Sequence, residues 1–186
     1  MQWRTDTKAI IAAHCEDMSL IPAGGAIHDG AFAKEHGIPG IPSASEWGPI
    51  ARDVELVKET GCKYHVCHIS TKEEIEMARA AKTNNPSITA ETSCNYLWFS
   101  NEDYSRMGSL VKCNPAVKTP GDREALRNAL AEGLIDTIGS DHAPHLLSEK
   151  EGSYKDAPSG LPSIQQSLPV LLTIAYQEEI PLGRIA

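Results

Sequence analysis

The sequence predicts an α/β fold built on a parallel sheet. Short apolar runs alternate with amphipathic stretches along the chain. Each run gives way to a polar residue, and the stretch after it carries helix start and stop signals. Strands that alternate with helices pair in parallel.

Ala9-Ile10-Ile11-Ala12-Ala13 is the first strand, ending at His14. Residues 18–45 are rich in Gly, Ala and Pro and read as a long loop with room for one helical piece. Ser45 to Thr60 is helical, because Ile50, Val54 and Val57 repeat at spacings of four and three and Gly61 supplies a stop. Lys63 to Ile69 is the second strand. Ser70 or Thr71, each with a Glu three positions on, opens a capping box for a helix over 71–83. Asn84-Asn85-Pro86 ends it, and Ser87 to Thr92 is the third strand. Leu110 to Asn114 reads as a further extended piece stopped by Pro115. Pro120-Gly121-Asp122 starts a helix that runs to Glu132, with Gly133 as its stop. Ile135 to Ser140 is the fourth strand, ending at Asp141. Ser163 to Gln177 is helix-like, with a kink or a late start expected at Pro169.

Composition narrows the function classes. A net charge of -8 over 186 residues argues against a nucleic-acid binder. No apolar run reaches the roughly 18 residues of a membrane span, and the first residues lack the apolar centre of a signal peptide. Five cysteines without a Cys-x-x-Cys pair argue against a disulfide framework and a four-cysteine zinc site. The expectation is a cytoplasmic protein with reduced thiols, none placed as a nucleophile.

Three strands end in a potential metal ligand: His14, His68 and Asp141. Barrel enzymes collect their chemistry at the C-terminal ends of parallel strands, so distant residues can converge there. Imidazole and carboxylate suit zinc. Each residue also has a structural reading, as a hydrogen-bonded histidine or a helix cap. In Ser140-Asp141-His142-Ala143-Pro144-His145 an acid and two histidines crowd one strand end, which favours metal or proton-transfer chemistry. His28, His36 and His65 read as structural. Asn114 reads as a turn residue before Pro115, with a substrate-directed amide as the other reading.

Taken together, His14-Cys15-Glu16-Asp17, His68-Ile69-Ser70-Thr71, Lys112-Cys113-Asn114-Pro115 and Ser140 to His145 resemble the dihydroorotases of the bacterial class I type, within the amidohydrolase superfamily. Gly37-Ile38-Pro39-Gly40-Ile41-Pro42 and Ala157-Pro158-Ser159-Gly160-Leu161 are similar to that family as well. The resemblance implies a (β/α)8 TIM barrel with a two-zinc site at its mouth. It implies interconversion of N-carbamoyl-L-aspartate and L-dihydroorotate in pyrimidine biosynthesis. His14 and His68 would end barrel strands 5 and 6 and hold one zinc. Asp141 would end strand 8, touch the other zinc and act as general acid/base. Asn114 and His145 would bind substrate, together with backbone groups of Ser159 and Gly160.

The family's His-x-His pair on strand 1 has no counterpart in the sequence, nor does its strand 4 bridging ligand. Residues 1–186 are therefore expected to form one partial barrel domain, strands 5 to 8. Thr92 to Leu97 replaces the family's usual Pro-His-aromatic stretch. A hydantoinase, dihydropyrimidinase or allantoinase is the related alternative, and a non-catalytic half-barrel the unrelated one. The expected partners are the small-molecule substrate and, for the protein itself, a homo-oligomer or a complementing half-barrel, with neither nucleic acid nor membrane.

Overall fold

The computed structural model describes residues 8–185. Four strands form its main sheet, β1 (Ile10–Ala13), β4 (Lys63–Val66), β5 (Ile88–Ser93) and β6 (Thr137–Gly139), in the order β1-β4-β5-β6. Every pairing is parallel, as the alternation predicts. Ala12 pairs with His65, His65 with Thr89, and Glu91 with Thr137. Each connection is a helix-bearing crossover: α2 (Ala44–Thr60), α3 (Lys72–Asn84) and α6 (Pro120–Glu132).

The two faces of the sheet differ. Tyr64, Val66, Ile88 and Ala90 are buried beneath the helices, while their neighbours Lys63, His65, Thr89 and Glu91 are exposed or half-buried. A sheet covered on one face only is an arc of a barrel wall rather than a doubly wound sheet, which is covered on both. One apolar core runs behind the arc, from Cys15 and Ile50 through Val57, Leu126 and Leu130 to Ile174 and Ile180. At about 25 cal/mol per Å2 of buried apolar surface, this layer is the main force holding helices to strands.

Local chemistry sets the element ends. Thr71, not Ser70, is the cap of α3: its hydroxyl accepts the Glu74 N–H at 3.1 Å, and Glu74 accepts the Thr71 N–H at 2.8 Å. The same reciprocal box, between Thr119 and Asp122, opens α6 beside Pro120. Gly61 and Gly133 end α2 and α6 with φ of 67° and 76°, a left-handed turn that glycine adopts without steric cost.

Four segments differ from the sequence reading. The loop over 18–45 contains a two-stranded parallel ribbon, β2 (Ile27–His28) with β3 (Gly40–Ile41), and the helix α1 (Ala31–Glu35) between them. Strands of two residues are too short to show a hydrophobic period. Cys94–Trp98 forms α4, capped by the Ser93 side chain, where no helix was expected. Leu110 to Asn114 is not extended. Gly108–Val111 is a 3-10 turn after the short helix α5 (Tyr104–Met107), and the Asn114–Pro115 bond is cis. A four-residue helix, α7 (Leu147–Lys150), follows β6. The last helix, α8 (Ile164–Gln177), runs through Pro169, losing only the bond that an N–H there would give Gln165. No helix among the described residues is long and apolar enough to cross a membrane.

Candidate active site

His14 follows β1 and His68 follows β4, its immediate neighbour in the sheet. Adjacent parallel strands bring their C-terminal ends side by side, so the two rings meet. His14 Nδ1 lies 2.9 Å from His68 Nε2, with ring planes at 68°. That is a hydrogen bond, in which one nitrogen carries the proton and the other its lone pair. Two nitrogens around a tetrahedral zinc at 2.0–2.1 Å would stand about 3.3 Å apart, so a few tenths of an ångström converts the pair to ligands. Burial, and then the charge of His14, hold His68 below the ordinary imidazole range. It is therefore neutral near pH 7, the form in which imidazole ligates.

His68 and Asp141 share a backbone feature. Their φ angles are 34° and 45°, both in the left-handed region that few non-glycine residues enter. Such torsions persist only where the surroundings enforce them, and they gather at functional sites. Asp141 follows β6, two strands from His68. Its negative charge acts on the His68 ring, against the effect of burial. Among the described residues, however, the three-ligand group whose donor atoms all lie within 4.8 Å is His65, Cys67 and Glu91, and Asp141 does not complete such a group with His14 and His68.

Glu16 links the pair to the substrate candidates. One carboxylate oxygen lies 3.4 Å from His14 Nε2 and accepts the Asn114 Nδ2 hydrogen at 3.1 Å. The other oxygen of Glu16 and the Asn114 Oδ1 are both buried without a hydrogen-bond partner. An acceptor pair left so is costly unless a ligand donates to it. Glu16, Asn114 and Ser159 line one hollow of about 260 Å3. A larger cavity of about 460 Å3 adjoins His145, but Trp98, Phe99, Met107, Leu110 and Val170 make it apolar. The smaller hollow carries the two unpartnered acceptors, so a group that donates hydrogen bonds suits it.

The remaining candidates serve the loops. His145 Nε2 contacts the Ser159 carbonyl at 3.0 Å. Gly160 donates its N–H to Lys112 O at 2.9 Å and its carbonyl accepts from Lys150 Nζ at 3.1 Å, so both backbone groups are engaged within the fold. Its φ of 135° and the 2.5 Å between a notional Cβ and Ala143 O exclude any larger residue. His142 joins the strand end to the last helix through one ring nitrogen. Its Nδ1 accepts the N–H groups of Ser163 and Ile164 and caps α8. Burial pushes the Cys15 thiol up to about 11 and the Cys113 thiol up to about 12, so neither is a thiolate near neutral pH.

Three lysines that organise this region gave no signal in the sequence, where an isolated lysine reads as surface. Lys150 is buried and donates to the carbonyls of Lys112, Pro158 and Gly160 at 2.9–3.1 Å. Lys112 donates to Tyr154 O and Lys155 O. Lys118 pairs with Glu46 beneath the His68 turn. Lys150→Met should cost about 2–3 kcal/mol, because it leaves three carbonyls without their charged donor. Urea unfolding would measure this, and a change below about 0.5 kcal/mol, the usual surface effect, would show that the three bonds hold nothing.

The chain matches known proteins along its length. The Dihydro-orotase-like family model matches residues 1–74. A dihydroorotase of Geobacillus thermodenitrificans is 47% identical over 163 residues, and that of Bacillus subtilis 46% over 166. These alignments cover 88% and 89% of this chain but 38% of each relative, so the chain spans under half the length of the relatives it matches. Among solved structures, the L-hydantoinase (dihydropyrimidinase) of Arthrobacter aurescens superposes with a TM-score of 0.86 at 29% identity, over 98% of this chain and 42% of that one. The Saccharomyces cerevisiae dihydroorotase in complex with 5-fluoroorotic acid gives 0.76 at 20% identity, over 97% and 47%. The four-stranded arc is thus part of a TIM barrel, and the chain is similar over most of its length to one part of the dihydroorotases.

Proposed function

We propose that the protein in which this segment works is a zinc-dependent cyclic amidohydrolase, a dihydroorotase that interconverts N-carbamoyl-L-aspartate and L-dihydroorotate. The observation that carries this reading is the 2.9 Å pairing of His14 and His68 at two adjacent strand ends, in a chain 43–48% identical to dihydroorotases. His14 and His68 would hold one zinc, and Asp141 would contact a second. Bound zinc would polarise the amide carbonyl and activate water. Asp141 would accept the proton released by that water and return it to the ring nitrogen as it departs. The Asn114 amide and His145 would orient the substrate's polar groups, and Ser159 and Gly160 would shape the loop that closes around them. We also propose that the arc works against complementary barrel strands, supplied by a second copy or by another segment. β1 and β6 each have one strand neighbour among the described residues, and open strand edges recruit other strands.

The test joins this chain to the remaining barrel strands of a curated relative and follows ring opening of L-dihydroorotate and of hydantoin. The expected result is zinc-dependent turnover of L-dihydroorotate that His14→Ala abolishes. Preference for hydantoin would move the protein to the hydantoinase class, which the 0.86 TM-score to an L-hydantoinase favours as the second reading. Turnover untouched by chelation or by His14→Ala would end the metal reading.

A further inference from the structure

We propose that His65, Cys67 and Glu91 form a second, thiolate-containing site for a zinc-class divalent cation, on the inner face of the sheet and apart from the His14–His68 pair. His65 lies on β4 and Cys67 follows it, two residues apart and so on one face. The pairing of His65 with Thr89 and Val66 with Ala90 brings Glu91 of β5 opposite Cys67. Their donor atoms, a ring nitrogen, a sulfur and a carboxylate oxygen, lie within 4.8 Å of one another, and His65 Nε2 stands 3.4 Å from a Glu91 oxygen. Ligands of a tetrahedral zinc at 2.0–2.3 Å lie about 3.3–3.8 Å apart, so small side-chain rotations close the set.

Three further features fit a ligating role. His65 Nδ1 is 2.7 Å from Thr89 Oγ1. With its proton given to that hydroxyl, the ring turns its Nε2 lone pair toward Cys67 and Glu91, as a second contact does for metal-bound histidines. The Glu91 carboxylate lies where a Cβ on Gly139 would fall, 2.6 Å from its Cδ, so glycine on β6 leaves the carboxylate its place. Cys67 alone among the five cysteines is not fully buried, so its sulfur is within reach of a cation at this face. Nitrogen, sulfur and oxygen together, with a fourth position open, are a zinc-type donor set.

Cobalt(II) separates this site from the other. The metal-free chain is titrated with Co2+ and its near-ultraviolet absorption recorded, since only a thiolate ligand gives a sulfur-to-cobalt charge-transfer band. The band should rise to one equivalent and be displaced by Zn2+. Cys67→Ser should abolish it, and Thr89→Val should weaken cobalt binding about tenfold. The His14→Ala/His68→Ala double variant should keep the band, so loss of the proposed catalytic metal would leave this site standing. Absence of the band in the unaltered chain, or its persistence in Cys67→Ser, would overturn the proposal. Should Cys67→Ser lose its native circular dichroism, Glu91→Gln decides: unchanged cobalt affinity there also overturns it.

Discussion

Replacing Asp141 with Asn should lower turnover about 10²–10⁴-fold in any form of the protein that opens L-dihydroorotate, the range expected for a lost general acid/base. Asparagine keeps the size of the side chain and its ability to accept a hydrogen bond, but its amide cannot take and return a proton. It also tolerates the 45° φ that Asp141 adopts, since Asn, like Asp, enters the left-handed region at little cost. The fold is therefore retained, and the loss falls on the chemical step. Asp141→Ala is a poorer test, because it adds backbone strain to the missing carboxylate. The measurement is kcat beside the thermal midpoint. An unchanged midpoint with turnover within a factor of ten of the original would remove Asp141 from the proton path.

Strand and helix order was legible because it rests on local rules. Apolar runs closed by His14, His68 and Asp141, and hydroxyl-to-acid spacing at Thr71–Glu74 and Thr119–Asp122, each act over a few residues. α6 falls on the residues named from sequence, Pro120–Glu132, because proline, cap and terminal glycine agree. The meeting of His14 and His68 was legible too, through the rule that adjacent parallel strands align their ends. What the sequence could not show depends on distant partners. The β2–β3 ribbon is held by pairing across a helix. α4 starts where Ser93, still in a strand, turns its hydroxyl to the Asn95 N–H. The buried lysines look like any surface lysine until the carbonyls around them are in place. His65 reads as a structural histidine until Cys67 and Glu91 stand beside it.

Breaking the ion pair between Lys118 and Glu46 should destabilise the chain by about 3–5 kcal/mol, the usual cost of leaving one buried charge alone. Lys118 Nζ lies 2.6 Å from Glu46 Oε1, and both side chains are 1% exposed. The geometry leaves few groups unanswered. Lys118 also donates to Ala116 O at 2.6 Å, and the Ser70 hydroxyl donates to the second Glu46 oxygen at 2.5 Å. Glu74 lies beside them, pushed up to about 7 by burial and by Glu46. The network therefore joins α2, the turn before α3 and the segment before α6. Ser70 is two residues past His68, so the same bonds hold the turn in which His68 keeps its left-handed φ. Lys118→Met leaves Glu46 charged and unpaired, and Glu46→Leu does the same to Lys118. Replacing both, as Glu46→Leu with Lys118→Met, removes both charges and should recover most of the loss, since apolar replacements of buried pairs are often neutral or better. Urea unfolding of the three variants forms a double-mutant cycle. A coupling below about 0.5 kcal/mol, the level of independent sites, would show that the pair does not hold the turn. The recovered double variant would then tell stability from function. Refolded but with His68 cut from Ser70's anchor, it should still bind zinc at the strand ends more weakly than the unaltered chain.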